Sequence, residues 1–357
     1  MFSVFRKWSD SLFADEEAVL LLLLIIAALT LIVCLSSVLA PVLTSIILAY
    51  LLDGMMEKLK SWRVPDTIAL LTSFFFFLAI CCALALVVFP MVWKQAVSLF
   101  QELPTMANKG QELLIELHQR YPDLITDAQF KDIVSNIMGE LTGVGQLLLS
   151  YSLSNLLSLA ALSIYTILVP ILVFFMLKDK RQMMSWFAQY LPEYRPMMRE
   201  VWQEMDQQVA NYIRGKVIEI IAVGVASFIA FSILDLNYAA LLALFVGLSV
   251  LIPYIGAAVV TLPVLIIGYM QWGLDSQFMW LFGIYALIQG LDGNVLVPLL
   301  FSEAVNLHPV AIILAVLFFG SFWGLWGVFF AIPLATLVKA LINAWPSGTP
   351  RKQDLSL

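Results

Sequence analysis

Three polar side chains lie close together in a strongly apolar part of the chain, in the run IQGLDGNVLVP. They are Gln289, Asp292 and Asn294, with Gly290 and Gly293 between them. The glycines allow the backbone to unwind, so carboxylate, amide and main-chain oxygens could together hold a proton, a small hard cation or a polyol. The alternative is a loop at the periplasmic membrane surface, in which Asp292 is simply solvated.

A second polar group follows in the run FSEAVNLHP. It contains Glu303, Asn306 and His308, and together with the first group it completes the set of candidate residues for binding a solute or an ion. Histidine and glutamate suit proton transfer at physiological pH. A single histidine beside an apolar span, however, is more often a helix-start or interface residue than a proton relay.

Two segments of the C-terminal half are too long and too often interrupted to be straight spanning helices. They cover residues 238–270 and 309–341, and the second would measure roughly 50 Å as one helix, against a hydrocarbon core of ~30 Å. They share a similar four-residue motif, LFVG in the first segment and LFFG in the second. Paired interrupted segments mark the substrate site of repeat-built transporters, although chance is an equally good explanation here. The residues expected to act as hinges are Pro253, Gly256, Gly293, Pro309, Gly327 and Pro333.

The composition explains why these segments belong in a membrane. Of 357 residues, 62% are hydrophobic and 12% are charged, and the mean hydropathy is +0.94. Soluble domains carry about 45–50% apolar and about 25% charged residues. The sequence therefore predicts an all-α, polytopic membrane protein with about eight spans and with broken or re-entrant helices in its C-terminal half. The net charge of −6 and the three cysteines, which form no CxxC pair, indicate neither a nucleic-acid partner nor a metal site.

The pattern divides the chain into five regions. Residues 1–93 hold spans one to three, and residues 94–151 form an amphipathic insert. Residues 152–216 hold span four and a basic loop, residues 217–345 form the C-terminal transport core, and residues 346–357 form a tail. Lys and Arg near the span ends predict that both termini are cytoplasmic and that the insert is periplasmic. The insert's apolar helical face comprises Phe130, Ile133, Val134, Ile137, Met138 and Leu141.

Basic residues crowd the segment after span four and are then absent. The segment carries Lys178, Lys180, Arg181, Arg195, Arg199, Arg214 and Lys216, whereas residues 217–338 contain no Lys or Arg. Glu219 follows Arg214 and Lys216 by about one helical turn, which predicts a structural ion pair. Acidic residues without nearby bases in an apolar segment indicate a functional site.

Motifs for catalysis are absent from the sequence. It contains no HExxH, GxSxG, P-loop or Gly-rich dinucleotide motif, and its only histidines are His118 and His308. We therefore expect no enzyme and no cofactor, and transport driven by an ion gradient. The alternatives are a membrane scaffold that docks partners through its amphipathic segments, and an ion channel.

Several motifs occur in an order that resembles a known family. They are YIRGK, PYIG, LDGNVLVP, NLHP and GLWGVFFAIPLA. In this order they resemble the AI-2E (autoinducer-2 exporter) family, and the run from LKDK onward is most similar to its permease-type members. The resemblance implies a secondary transporter of the bacterial inner membrane, linked to export of autoinducer-2 or to sodium/proton exchange. It also implies a homo-oligomer, with a pentamer as one form.

Overall fold

The computed structural model describes residues 16–120, 156–301 and 307–345, and every regular element in these ranges is helical. Within them, seven helices are long and apolar enough to cross a membrane, and two shorter apolar helices lie between those. This confirms an all-α polytopic membrane protein. The apolar face predicted from Phe130 to Leu141 lies outside the described residues.

The described residues of the N-terminal half, 16–120 and 156–188, form six α-helices. A break at Leu35 separates the first two, and a π-helical turn at Leu84–Val88 carries the third span straight into the start of the insert. Pro65 precedes the third helix in an extended conformation, where its missing amide hydrogen costs no helical hydrogen bond. The six helices are α1 (Glu16–Cys34), α2 (Ser36–Ser61), α3 (Asp66–Ala83), α4 (Phe89–Arg120), α5 (Leu156–Lys178) and α6 (Lys180–Ala188).

The predicted basic loop is largely a helix. Helix α7 (Pro196–Ile233) contains Arg199, Arg214 and Lys216, and Pro196 occupies its first turn. The sequence suggested a loop because charged residues usually end a span. The apolar stripe Met198, Val201, Met205, Val209 and Tyr212 has helical spacing, and it allows α7 to continue through the charged region.

The first long interrupted segment folds back on itself as hairpin 1. Helix α8 (Ala239–Ser249) ends, Tyr254 adopts a left-handed φ of 63°, and α9 (Ile255–Trp272) runs back. A Cβ atom at Gly256 would collide with the carbonyl oxygen of Ser249, so only glycine allows this approach. At the other end, Gln271 accepts from the amide of Asn237 and donates to the carbonyl of Asp235, both at 2.8 Å. The two ends of hairpin 1 are therefore on the same side.

The second long segment forms hairpin 2, after α10 (Ser276–Leu291), a π-helical turn (Asp292–Leu296) and α11 (Val297–Phe301). Helix α12 (Pro309–Ala344) is interrupted at Gly324, with φ 58° and ψ −135°. Ala311 and Ile342 would be ~46 Å apart in a straight helix, yet they line one cavity. The expected broken helices are confirmed.

The core of the C-terminal half lies between α7 and hairpin 1. Phe231, Leu242, Val264 and Leu281 are each at most 1% exposed and belong to one packed cluster. Helix α4 joins this cluster: Val92, Ala96, Leu99 and Met106 pack against it. The start of the predicted surface insert is therefore part of the structural core, because its apolar face meets hairpin 1.

Candidate transport site

A buried ion pair lies on helix α7. Lys216 Nζ is 2.8 Å from Glu219 Oε2, and the two side chains are only 4% and 2% exposed. The spacing of three residues places both on one face of the helix. The structural ion pair expected for Glu219 is present, and Lys216 is its partner; Arg214 instead approaches Glu57 at 3.9 Å.

The same ammonium group reaches the break in hairpin 1. Lys216 Nζ donates to the carbonyl oxygen of Val250 at 2.8 Å. The last carbonyls of a helix have no intrahelical donor, so this hydrogen bond satisfies a group exposed by the interruption. The nitrogen also lies 5.2 Å from the centre of the Phe301 ring, a cation–π distance.

Asp292 lies across the cavity, at the start of the π-helical turn. It is 8% exposed, and its Oδ1 has no hydrogen-bond donor among the described protein groups. A buried carboxylate oxygen without a hydrogen-bond donor is costly unless it binds a proton or a cation. The structure thus places Asp292 in the protein interior rather than in a solvated loop.

These groups face one cavity of about 360 Å³. Its wall combines α7, the break in hairpin 1, the π-helical turn and both arms of hairpin 2. With every group ionised, two carboxylates and one ammonium leave one excess negative charge in a largely apolar enclosure. The other lining residues include Gln289, Gly293, Pro253, Phe301, Ile312 and Ile332.

The structure separates the predicted binding residues. Gln289 lines the cavity with Asp292, and its amide is held by a 3.0 Å hydrogen bond to the Tyr285 hydroxyl. Asn294 does not line the cavity: its amide donates to the carbonyl of Gly290 at 2.8 Å. His308 is exposed and begins α12, where its Nδ1 accepts from the Val310 amide at 3.3 Å. Glu303 and Asn306 lie outside the described residues.

The predicted hinge residues lie at different kinds of position. Pro253 and Gly293 line the cavity itself, whereas Pro309 opens α12. Gly327 packs so closely on Phe319, in the opposite arm of hairpin 2, that a Cβ atom would collide with the Phe319 carbonyl oxygen. The backbone break itself is at Gly324, between the two arms.

Pro333 leaves one carbonyl group of its own helix without a hydrogen-bond donor, and a side chain of another helix supplies that donor. A proline has no amide hydrogen, so the carbonyl of Phe329, four residues earlier, lacks its usual helical donor. The hydroxyl of Tyr212 donates to that oxygen at 2.8 Å. Tyr212 is only 2% exposed, and it joins α7 to the second arm of hairpin 2 close to the ion pair.

Sequence reasoning missed Lys216 and Tyr212 as site residues. The spacing of Lys216 to Glu219 predicts only a structural ion pair, and nothing local indicates the bond from Lys216 to Val250, 34 residues away. Tyr212 had no local signal, because its partner Phe329 is 117 residues away.

Comparison with known proteins agrees with this architecture. The model of the AI-2E family of transporters matches residues 19–347. The chain is 45% identical over 348 residues, 98% of its length and 99% of the relative's, to PerM of Escherichia coli (strain K12), which is named as a proposed permease. It is 30% identical to YueF of Bacillus subtilis (strain 168), named as a proposed transport protein, over 87% of this chain and 84% of that one.

A more distant relative carries a substrate in its name. The AI-2 transport protein TqsA of Escherichia coli (strain K12) is 22% identical over 88% of each chain. All three relatives are named for transport or permeation, and the permease-type resemblance seen in the sequence is confirmed. This chain belongs to the AI-2E family of transporters.

Proposed function

We propose that this chain is a secondary transporter of the bacterial inner membrane, driven by a proton or sodium gradient, with both termini cytoplasmic. Its cargo is a small solute, of which autoinducer-2 is one candidate because TqsA is named for AI-2 transport. The alternative cargo is the cation itself. Family members are the basis for transport; the coupling and the cargo are our inference.

One observation supports the coupling most directly: Asp292 Oδ1 is buried without a donor opposite the paired Lys216 and Glu219. Binding of one proton or one monovalent cation at Asp292 would neutralise the excess negative charge of the cavity. Release would restore it. The cavity thus has two charge states, which is the minimum requirement for coupling a gradient to a conformational change.

The walls of the cavity can convert that change in charge into motion. Val250 and Pro253 belong to the break in hairpin 1, and Ile312 and Ile332 belong to the two arms of hairpin 2. Discontinuous helices around a buried polar site are typical of secondary transporters. We propose that both hairpins shift relative to α7 when Asp292 changes its charge, and that the protein functions as a homo-oligomer.

The test is flux in proteoliposomes under imposed pH and sodium gradients, with autoinducer-2 as the first solute. We expect Asp292→Asn to abolish gradient-driven flux while leaving assembly, measured by size-exclusion chromatography, unchanged. Asp275→Asn is the matched control, since Asp275 is an exposed helix cap that asparagine replaces well.

Three outcomes would overturn parts of this proposal. Normal flux in Asp292→Asn would remove Asp292 from the mechanism. Single-channel steps in planar bilayers would replace the transporter with a channel. Absence of flux in the unaltered protein under pH, sodium and solute gradients would favour the membrane scaffold.

A further inference from the structure

A second cluster of polar residues joins α2, α7 and the first residue of α6 at the ends that carry basic residues. Lys180, just after α5, donates from Nζ to Asp53 Oδ2 of α2 at 2.7 Å. One turn before Asp53, the Tyr50 hydroxyl donates to Asp206 Oδ1 of α7 at 2.6 Å. Lys180 Nζ lies 6.0 Å from the centre of the Tyr50 ring. Side chains thus link three helices at one level.

Two cavities meet at this cluster. The outer cavity, of about 900 Å³, is lined mainly by charged and polar residues, including Glu57, Lys60, Asp66 and Arg181. The inner cavity, of about 330 Å³, is lined mainly by apolar side chains, including Ala49, Met176, Met183 and Trp202. The outer cavity has the character of an aqueous vestibule, whereas the inner one is a mainly apolar cleft whose rim, at Met183 and Trp202, is exposed on the protein surface.

Four residues line both cavities and therefore form the wall between them: Asp53, Leu177, Lys180 and Met184. The only charged members of this wall are Asp53 and Lys180, which are bonded to each other. Their side chains are 11% and 46% exposed, so the ammonium group is partly in the vestibule while the carboxylate is enclosed. Separating this pair would remove the charged part of the wall and leave Leu177 and Met184 between the two cavities.

The pair is charged but not strong. Partial burial lowers the pKa of Lys180, but the hydrogen bond and charge of Asp53, followed by the charges of Asp206 and Glu57, outweigh it and raise that pKa above its ordinary value. The ammonium therefore persists at physiological pH. An ion pair with one half-exposed partner contributes little net free energy, so thermal motion can open and close it.

Helix α7 lines both the inner cavity and the central cavity, which contains Asp292. Trp202 and Asp206 line the inner cavity, and Lys216, ten residues further along α7 at ~15 Å, lines the cavity that contains Asp292. Between them Tyr212 holds hairpin 2. Basic residues cluster at the vestibule end, which is the cytoplasmic end by the distribution of Lys and Arg.

We propose that the Asp53–Lys180 pair is the cytoplasmic gate of the transport route, and that it closes the methionine-lined inner cavity off from the vestibule. This proposal rests on the proposed function, and it assigns a role to residues outside the Asp292 site. Opening separates Lys180 from Asp53 and admits a small solute with an apolar body into the inner cavity.

The gate is tested by thiol labelling, which requires no flux. Cys34, Cys81 and Cys82, all exposed, are replaced by alanine, and Ala49→Cys places one thiol in the inner cavity. Inside-out vesicles receive a cationic and, separately, an anionic membrane-impermeant methanethiosulfonate. With the pair intact, we expect slow labelling by both reagents.

Breaking the pair should open the gate. In Lys180→Gln, and in Asp53→Asn, we expect labelling at Ala49→Cys to accelerate about ten- to a thousandfold, because an open state of about 0.1–10% becomes dominant. Both reagents should respond in the same direction, whereas a purely electrostatic effect would accelerate one and slow the other. The double exchange Asp53→Lys with Lys180→Asp should restore slow labelling, which also shows that the variant folds.

Two controls make the result decisive. Lys60→Gln breaks a comparable pair with Asp66, at 3.1 Å, that borders only the vestibule, and it should leave labelling slow. A thiol at Thr67, in the vestibule, should label rapidly in every variant. Rapid labelling of Ala49→Cys with the pair intact, or labelling that both single variants leave unchanged, overturns the gate. A working gate without flux in any gradient would instead refute the proposed function alone.

Discussion

Lys216 and Val250 are joined by a 2.8 Å hydrogen bond between an ammonium group and a main-chain carbonyl, across 34 residues of sequence. This bond couples Lys216, in the wall of the cavity that contains Asp292, to the break in hairpin 1. Any movement of that break must therefore lengthen the bond or carry Lys216 along. The ion pair and the interrupted helix behave as one unit.

We predict that Lys216→Met strongly destabilises the protein. It leaves Glu219 buried without its partner and removes the donor to Val250, and loss of one member of a buried pair costs about 3–5 kcal/mol. Thermal unfolding in detergent measures the effect. The double variant Lys216→Met with Glu219→Gln should lose less than Lys216→Met alone, since it removes the unpaired charge. A larger loss in the double variant would show that Glu219 has another strong partner.

Gly327→Ala should disrupt hairpin 2. The added methyl group would meet the carbonyl oxygen of Phe319, a backbone atom that cannot rotate away. We expect a loss of at least about 1–3 kcal/mol from overpacking, seen as reduced yield and a lower unfolding temperature. Gly283→Ala is the matched control. No heavy atom comes within 4 Å of its added carbon, and a helical Gly→Ala change stabilises by up to about 1 kcal/mol. Equal behaviour of the two variants would contradict the hairpin.

Tyr212→Phe removes the hydroxyl that satisfies the Phe329 carbonyl. Because Pro333 supplies no amide hydrogen, that oxygen would remain buried without a donor, at a cost of about 1–3 kcal/mol. Thermal unfolding should show the loss. Tyr194→Phe, at a side chain 85% exposed, should have no measurable effect. Replacing Pro333 by alanine in the Tyr212→Phe background should recover part of the stability by restoring the helical hydrogen bond. A failure to recover would assign another role to the hydroxyl.

Gln95→Ala should weaken the contact between α4 and hairpin 1. Gln95 Oε1 accepts from the amide of Leu241, in the first turn of α8, at 2.9 Å. Loss of a cap of this kind costs about 0.5–2 kcal/mol. Gln95→Glu keeps an acceptor and places negative charge at a helix N-terminus, so it should retain stability. Hydrogen exchange at α8 amides distinguishes the two variants, and equal exchange in both would refute the capping role.

The interruptions in the C-terminal half were predictable from the sequence because they follow from length. A helix rises by a fixed distance per residue, so an apolar segment that exceeds the bilayer must tilt, bend or turn back. The buried position of Asp292 was also within reach, since a carboxylate in an apolar segment needs an enclosed environment. The sequence did not show which helix-breaking residue forms the turn and which one permits the close contact between the arms. In hairpin 2, Gly324 forms the turn and Gly327 permits the contact.

The failures have a shared physical cause. Lys216 is a site residue through Val250, and Tyr212 through Phe329, and neither partner is close in sequence. Asn294 failed for a local reason. The π-helical turn at Asp292–Leu296 changes the number of residues per turn, and so the face on which each side chain lies. Residues two positions apart lie on nearly opposite sides of an ordinary helix as well, so the grouping of Asp292 with Asn294 depended on the expected unwinding of the backbone at Gly293, which remains helical.

Each hairpin returns the chain to the side from which it entered. For hairpin 1 this is shown by the hydrogen bonds between the Gln271 side chain and the main chain of Asp235 and Asn237. A count of hydrophobic segments that treats each hairpin as one membrane crossing therefore makes two errors. Because both remove one crossing, the number of crossings stays even or odd as before. The compartment expected for the C-terminus is therefore unchanged. Helix α10, which lies between the two hairpins, is expected to cross the bilayer in the direction opposite to the one that such a count gives. Epitope tags at Gly273 and after Trp345 should thus be reached from opposite faces of a cell.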